Sequence, residues 1–233
     1  MANRILLTII FLALVAATSL TAQETQQKNW NTEKIKGMRF IPYPPYSGTP
    51  YFNEKFILGE IEFTGGSTIK NIGLRYSSFR DELIYYNTDI STQIVIDRIT
   101  LKGFSFTDEL GLKHIFRRQY FDLISHEERF FEVLSDGKIA LLAFRKADLE
   151  TCDTSFSKYG LAYQPSSYYY IYHTERGYSS IKINRSSLLT KFTKSNQKLV
   201  KKLLRKNSVQ IADEQSFIAA WDLVVKNDIP VNF

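Results

Sequence analysis

The feature that most constrains this chain is a succession of short segments in which apolar and polar residues alternate. Between residues 56 and 183 one such segment follows another; in the first, Ile57, Ile61 and Phe63 share one face. Alternation over roughly four to eight residues is typical of half-buried β-strands. The pattern therefore predicts a sheet whose strands each turn one face toward a core.

Turn residues separate the alternating segments. Gly65 and Gly66 follow the first, and Gly137 stands between two later ones; glycine adopts the positive φ that tight hairpin turns need. Short connections favour antiparallel pairing, because a parallel crossover needs roughly a dozen or more residues. The sequence therefore predicts a mainly β (α+β) fold, an antiparallel sandwich, roll or partly closed barrel. Strands are predicted at residues 56–63, 68–76, 79–86, 93–99, 102–106, 114–121, 129–134, 138–144, 168–172 and 178–183.

The apolar period becomes helical after residue 183. A helical turn is predicted at residues 186–192, a second helix begins at a cap formed by Ser195 or Asn196, and a third is capped by Asp213. We expect two to three C-terminal helices packed on the β domain. The predicted apolar sides are Leu199, Val200, Leu203 and Leu204 in the second helix, and Phe217, Ala220, Trp221 and Val224 in the third.

Residues 1–22 have the pattern of a cleavable secretory signal. Arg4 supplies a positive charge, residues 5–15 are apolar, and small residues lead to Ala22. The apolar run is shorter than the roughly 20 residues of a membrane span, although an uncleaved anchor is the alternative. Cleavage near Ala22, with no cysteine close behind the apolar run to carry a lipid, predicts a periplasmic or secreted mature chain without a transmembrane segment.

Four segments follow from these patterns. Residues 1–22 are the predicted signal, residues 23–52 a polar leader and a proline- and aromatic-rich strap, residues 53–184 the antiparallel β domain, and residues 185–233 the helical C-terminal segment. Proline fixes φ and restricts the residue before it. The strap is therefore predicted to be extended and to lie against the domain surface.

The residues that usually carry catalysis are sparse in this chain. Cys152 is its only cysteine, so the exported protein has no internal disulfide; we interpret it as a small buried or half-buried residue, with a reactive thiol as the alternative. His114, His126 and His173 do not have zinc-binding spacing, and no phosphate loop or nucleophile elbow is present. The sequence therefore predicts no catalytic residue, no metal site and no cofactor.

A run of basic residues is the first feature that indicates binding. Residues 176–212 contain ten Lys or Arg and no Asp or Glu, and the helix predicted at residues 195–206 is amphipathic. Its basic face suits an anionic polysaccharide or lipid surface, whereas export disfavours nucleic acid. Lysines that are merely solvated are the alternative. The candidate binding residues are Lys198, Lys201, Lys202 and Arg205.

A tyrosine-rich strand is the second such feature. Tyr168, Tyr170 and Tyr172 alternate with Tyr169, so tyrosines stand on both faces and some rings must face the exterior or a groove. Exposed tyrosines can stack on sugar rings, and ordinary cross-strand packing is the alternative. Tyr168, Tyr170 and Tyr172 are therefore candidate binding residues.

The early strands also carry a family likeness. Residues 48–56 and 59–61, followed by residues 72–76 and 81–83, resemble the "GxPYL…F…G.I" opening and the "LRYN.Y.DE" segment of uncharacterised exported proteins common in Bacteroidetes. Ser77 stands where asparagine is usual in that pattern. The resemblance implies periplasmic or surface placement and supplies no activity or functional residue.

Together these patterns favour an exported, non-enzymatic binding or structural module of the cell envelope, with its ligand unknown. One alternative is a hydrolase that acts on glycans, with acidic residues gathered by the fold. The other is a protein that binds anionic surfaces through residues 195–206.

Overall fold

A computed structural model describes residues 35–155 and 157–233. The predicted signal and the leader up to residue 34 lie outside the described residues. Eleven strands form one sheet. Their bounds are β1 Gly37–Arg39, β2 Ile57–Phe63, β3 Thr68–Ser77, β4 Glu82–Asn87, β5 Thr92–Ile96, β6 Leu101–Thr107, β7 Lys113–Phe121, β8 Glu127–Ser135, β9 Ile139–Thr151, β10 Leu161–His173 and β11 Gly177–Ile181.

The sheet is an antiparallel meander with one rearrangement. Its strand order is β1-β5-β4-β3-β2-β6-β7-β8-β9-β10-β11, and every pair of neighbours is antiparallel. The first four-strand meander, β2 to β5, joins the second, β6 to β11, where β2 pairs with β6. The sheet is not closed, and the predicted mainly β, antiparallel class with C-terminal helices is confirmed.

The longest hairpin exceeds its prediction. β9 and β10 each have 13 residues and stay in register from Ile139–His173 to Thr151–Leu161. The sequence indicated only the halves of these strands that lie away from their connecting loop, because polar residues and Pro165 interrupt the alternation nearer the loop. Pro165 lies in the part of β10 that β11 does not cover, and a strand edge of this kind tolerates proline.

Two strand boundaries differ from the prediction, and one strand was not predicted. β4 begins at Glu82 rather than at residue 79, because the preceding residues form a turn in which Asp81 has a φ of 56°. β5 ends at Ile96 rather than at residue 99, because Asp97 caps a short 3-10 turn. β1 lies in the predicted leader and strap, where no strand was expected, and pairs with β5.

Three helices follow the sheet: α1 Arg185–Thr190, α2 Lys194–Lys206 and α3 Glu214–Lys226. Thr193, not Ser195 or Asn196, caps α2, because its hydroxyl accepts the backbone N–H of Asn196. The predicted cap of α3 is confirmed: the Asp213 side chain accepts the Ser216 N–H, and the Ser216 hydroxyl accepts the Asp213 N–H. This reciprocal arrangement is a capping box.

The helices pack on one face of the sheet. Val200 and Leu204 of α2 join a core cluster with Leu141 and Ile171 of the sheet, whereas Leu199, predicted to lie on the apolar side, is 54% exposed. The buried face of α2 is thus narrower than the sequence pattern. The predicted stripe of α3 is fully buried in the same cluster and comprises Phe217, Ala220, Trp221 and Val224.

The opposite face of the same strands carries a second core cluster. Successive side chains of a strand point to opposite faces, so Leu142 and Tyr170 lie behind Leu141 and Ile171. They pack with Phe121 and Phe131. The ring centroids of Phe121 and Tyr170 are 5.1 Å apart. This second face also holds the candidate functional site.

The strap is extended, as expected from its prolines. The Tyr43 hydroxyl lies 2.8 Å from the Ser77 hydroxyl, and the Phe52 ring contacts the rings of Phe116 and His114. Cys152, just beyond β9, is half-buried, in keeping with its interpretation as a packing residue. Within the described residues, no helix is long and apolar enough to cross a membrane.

Candidate functional site

A pocket of about 340 Å³ lies on the face of the sheet opposite the helices. Three parts of the chain form it: the long hairpin of β9 and β10, the hairpin of β7 and β8 with its connection, and the turn between β3 and β4. Pockets that bind small molecules have volumes of roughly 300–1,000 Å³ and mostly apolar walls. This pocket lies within that range, at its lower end.

The hairpin of β9 and β10 supplies two tyrosines predicted from the sequence. Tyr168 is directly opposite Phe144 in the β-ladder, and Tyr170 and Lys146 lie two residues further along their strands on the same face. All four line the pocket. Tyr172 shares this face but packs against Tyr178, with ring centroids 4.7 Å apart, and does not line the pocket.

The β7–β8 connection contributes an apolar rim and polar groups. Ile124 lines the pocket and is 68% exposed, and its neighbour Leu123 is 49% exposed. Ser125 also lines the pocket; its hydroxyl oxygen is buried, and among the described residues it has no hydrogen-bond partner. A buried hydroxyl without a partner is unfavourable unless something occupies the space beside it.

The β3–β4 turn forms the remaining wall through Ser78, Phe79 and Asp81. The backbone N–H of Ala147 in β9 donates to the Ser78 carbonyl (3.2 Å). The N–H of Phe130 in β8 donates to the Asp81 carboxyl (3.3 Å). These bonds fix a turn that is distant in strand order against β8 and β9.

Asp81 is the most unusual polar group at the site. Its side chain is 2% exposed, it accepts the Tyr76 hydroxyl at 2.7 Å, and it lies 3.6 Å from Arg98 and 3.7 Å from Arg129. Burial raises the pKa of its carboxyl to about 6, against the opposing influence of Arg98 and the other neighbours. Because both oxygens already have partners, Asp81 holds the wall in place.

The remaining polar groups of the pocket are cationic. The Arg129 side chain is 25% exposed and forms ion pairs with Glu127 at the rim and with the buried Asp81. Lys146 is 40% exposed and lies 2.5 Å from Asp148. Guanidinium has five N–H donors and ammonium three, so each cation keeps donors beyond its ion pair.

A second charged cluster, absent from the sequence-based candidates, is buried on the helix face. The Arg145 guanidinium donates to Glu132 at 2.5 Å and, through both terminal nitrogens, to Glu214 at 2.7 and 2.8 Å. His114 lies 2.5 Å from Glu132 and 3.3 Å from Asp108. The cluster joins β7, β8 and β9 to the first turn of α3.

The environment of this cluster shifts the pKa values of several of its groups, among them His114 and Glu214. Burial favours the neutral form of His114, but its hydrogen bonds and charge interactions with Glu132 and Asp108 outweigh burial and raise the pKa. Burial likewise opposes ionisation of Glu214, whereas hydrogen bonds from Arg145 and Tyr169 lower its pKa. These charges are mutually paired, which is typical of a structural network.

The basic residues predicted from the sequence lie elsewhere. The exposed face of α2 carries them, whereas the opposite face of α2 packs in the cluster with Leu141 and Ile171. The tyrosine pocket opens on the other face of the sheet, so the structure does not bring the two sets of candidates together. The exposed basic residues are Lys198, Lys201, Lys202 and Arg205.

Comparison of this chain with protein-family models, curated proteins and solved structures gives no match. Within the part of the chain that the structure describes, no group of three or more His, Cys, Asp or Glu side chains is placed to hold a metal ion. The geometry of the pocket is therefore the main guide to function.

Proposed function

We propose that this chain is an exported, non-enzymatic binding module of the cell envelope that holds a small ligand in the pocket of Tyr168 and Tyr170. The observation that carries the proposal is the pocket itself. Its walls combine aromatic rings with a few polar groups, the composition typical of small-molecule sites. The secretory pattern of residues 1–22 and the resemblance to exported proteins support placement in the envelope.

The pocket favours binding over hydrolysis. A glycosidase uses two carboxyl groups roughly 5–9.5 Å apart. Among the described residues that line the pocket, the one carboxyl is that of Asp81, and both of its oxygens are engaged by protein groups. The glycan-hydrolase alternative stays a prediction. No pair of carboxyl groups among the described residues that line this pocket supports it.

Titration with the neutral fluorophore phenylnaphthylamine tests the proposal. We expect saturable binding, weakened about threefold to tenfold by Tyr168→Ala, because the variant removes an aromatic contact worth about 0.5–1.5 kcal/mol. Tyr120→Ala is the matched control, since Tyr120 is an exposed strand tyrosine outside the pocket lining. Absence of saturable binding to the unsubstituted protein, or equal weakening by both variants, would refute a ligand site here.

A second candidate function rests on α2. Its basic side chains are exposed, and the described structure gives them no ion pair. Its buried residues Val200 and Leu204 pack inside the protein, so they are not free to enter a lipid interface. The charge pattern thus favours an acidic polysaccharide as the partner, and salt-dependent retention on heparin tests this candidate.

A further inference from the structure

The polar groups of the pocket limit what its ligand can be. Arg129 and Lys146 can only donate hydrogen bonds. The carboxyl of Asp81, the strongest acceptor in the lining, already accepts from Tyr76 and the Phe130 backbone. A ligand group that meets these donors must therefore accept hydrogen bonds, and an anionic group does so most strongly.

The buried hydroxyl of Ser125 points to the same chemistry. It lines the pocket and has no hydrogen-bond partner among the described residues. A hydroxyl can donate to an anionic oxygen as readily as an N–H can. Two different parts of the pocket wall thus supply three donor groups, those of Ser125, Arg129 and Lys146.

The exposed acids at the rim do not block an anion. Glu127 pairs with Arg129 and is 48% exposed, and Asp148 pairs with Lys146 and is 32% exposed. Ion pairs open to solvent contribute little to stability. An incoming anion can therefore replace either partner while the acid turns to water.

The rest of the lining is mostly apolar, apart from the hydroxyls of Ser78, Tyr168 and Tyr170. Phe79, Phe121 and Phe144 contribute rings, and Ile124 and Tyr168 stand partly exposed at the pocket. A neutral sugar fits this surface less well, because each of its hydroxyls has an O–H group that needs a hydrogen-bond acceptor. An apolar ring or chain buries against these walls without that requirement.

We infer that the pocket binds an amphipathic organic anion, a molecule with an apolar ring or chain and one acidic group, whose acidic group is held by Lys146, Arg129 and Ser125. This inference rests on the proposed function, since it names the ligand class of the same pocket. It adds the charge of the ligand and the residues that recognise that charge.

Two matched probes separate the inference from the proposed function. Anilinonaphthalene sulfonate has the same ring frame as phenylnaphthylamine and adds one sulfonate. We expect the unsubstituted protein to bind the sulfonate at least about threefold more tightly, because a charge-assisted hydrogen bond is stronger than a neutral contact. Lys146→Gln should weaken binding of the sulfonate by about threefold to tenfold and leave the affinity for the neutral probe unchanged.

Two further variants complete the experiment. Lys102→Gln is the matched control, since Lys102 is also a strand lysine 2.5 Å from a carboxylate, that of Glu62, but lies outside the pocket lining. Ser125→Ala removes a hydroxyl that has no hydrogen-bond partner among the described residues, so the fold should be as stable as before. We expect it to weaken sulfonate binding alone, by about twofold to fivefold.

The outcomes distinguish the inferred ligand class from the proposed function. Selective loss of sulfonate binding in Lys146→Gln and Ser125→Ala supports the inference. Equal binding of both probes, unchanged in Lys146→Gln, overturns the inference and leaves the proposed function in place. Failure of both probes to bind saturably overturns the proposed function together with the inference.

Discussion

At the residue scale, buried charge is concentrated at two places with different consequences. Asp81 is buried beside two guanidinium groups at 3.6 and 3.7 Å, so its charged form is only partly compensated and its pKa is raised to about 6. Arg145 instead makes direct hydrogen bonds to two carboxylates. The first arrangement shapes a pocket, and the second fastens a helix to the sheet.

His114 should give the protein a pH-dependent stability. Burial alone would lower the pKa of His114 in the folded state. Hydrogen bonds and charge interactions with Glu132 and Asp108 outweigh burial, so the pKa is raised. The stabilisation is therefore fully present below the unfolded value near 6.5 and is lost as pH rises through the folded pKa. We expect His114→Gln to lower the free energy of unfolding by about 1–3 kcal/mol near pH 6 and by less near pH 9.

Urea unfolding followed by circular dichroism at the two pH values measures this difference. His126→Gln is the control: His126 is exposed in the β7–β8 connection, and any strain that Gln adds at its φ of 50° is present at both pH values. If His114→Gln keeps the pH dependence of the unsubstituted protein, the imidazole does not carry the proton responsible.

The sequence predicts single residues of the site where strand parity determines them. Tyr168 and Tyr170 share a face because they are two residues apart, and both line the pocket. Asp81 and Ser125 were not predicted, since their positions depend on how a turn folds back onto distant strands. Arg145 lies on the same face of β9 as the buried Leu141. A charged residue on a core-facing side of a strand was the one local signal of the second cluster.

At the element scale, α3 is attached to the sheet by its first turn and by its apolar stripe. The Asp213 capping box orders its first turn, Glu214 binds Arg145, and the apolar stripe lies in the core. The 3.6-residue period predicted the stripe and its cap, because both depend on neighbours within the helix. It did not predict the partner strands, which are set by the sheet order.

Replacement of Trp221 tests the docking of α3. Trp221 is fully buried, so Trp221→Ala should lower the free energy of unfolding by about 3–5 kcal/mol, through lost burial and the cavity left behind. Trp221→Phe should lose much less, because a ring remains and the indole N–H, which has no partner among the described residues, is removed.

Equilibrium urea denaturation gives both values. Leu199→Ala on the exposed side of α2 serves as the comparison and should have little effect. A loss near zero for Trp221→Ala would mean that α3 contributes little to the stability of the sheet.

At the scale of the whole molecule, the sheet separates two surfaces of different chemistry. One face holds the aromatic pocket, and the other is covered by helices whose outer side is basic. The class of fold follows from strand period and short turns. The position of the pocket does not, since it needs the β3–β4 turn to contact β8 and β9, which are distant from it in strand order.

The basic surface of α2 allows a test that separates binding at one local site from the effect of the net charge. We expect the unsubstituted protein to be retained on heparin, and a variant with Lys198, Lys201, Lys202 and Arg205 replaced by Gln to elute at markedly lower salt, because fewer charges meet the polymer at one place. The matched control replaces four cations of the β-sheet domain that pair with acids, which are Lys55, Lys70, Lys102 and Arg117.

Both variants lose the same formal charge, so any difference in their elution reports position. Earlier elution of the α2 variant alone supports a polysaccharide site on that helix. Equal displacement of both variants means that heparin responds to the net charge of +6, and unchanged retention of the α2 variant excludes the helix as the site. Retention on anionic vesicles with none on heparin would instead indicate a lipid surface, against the burial of Val200 and Leu204 in the core.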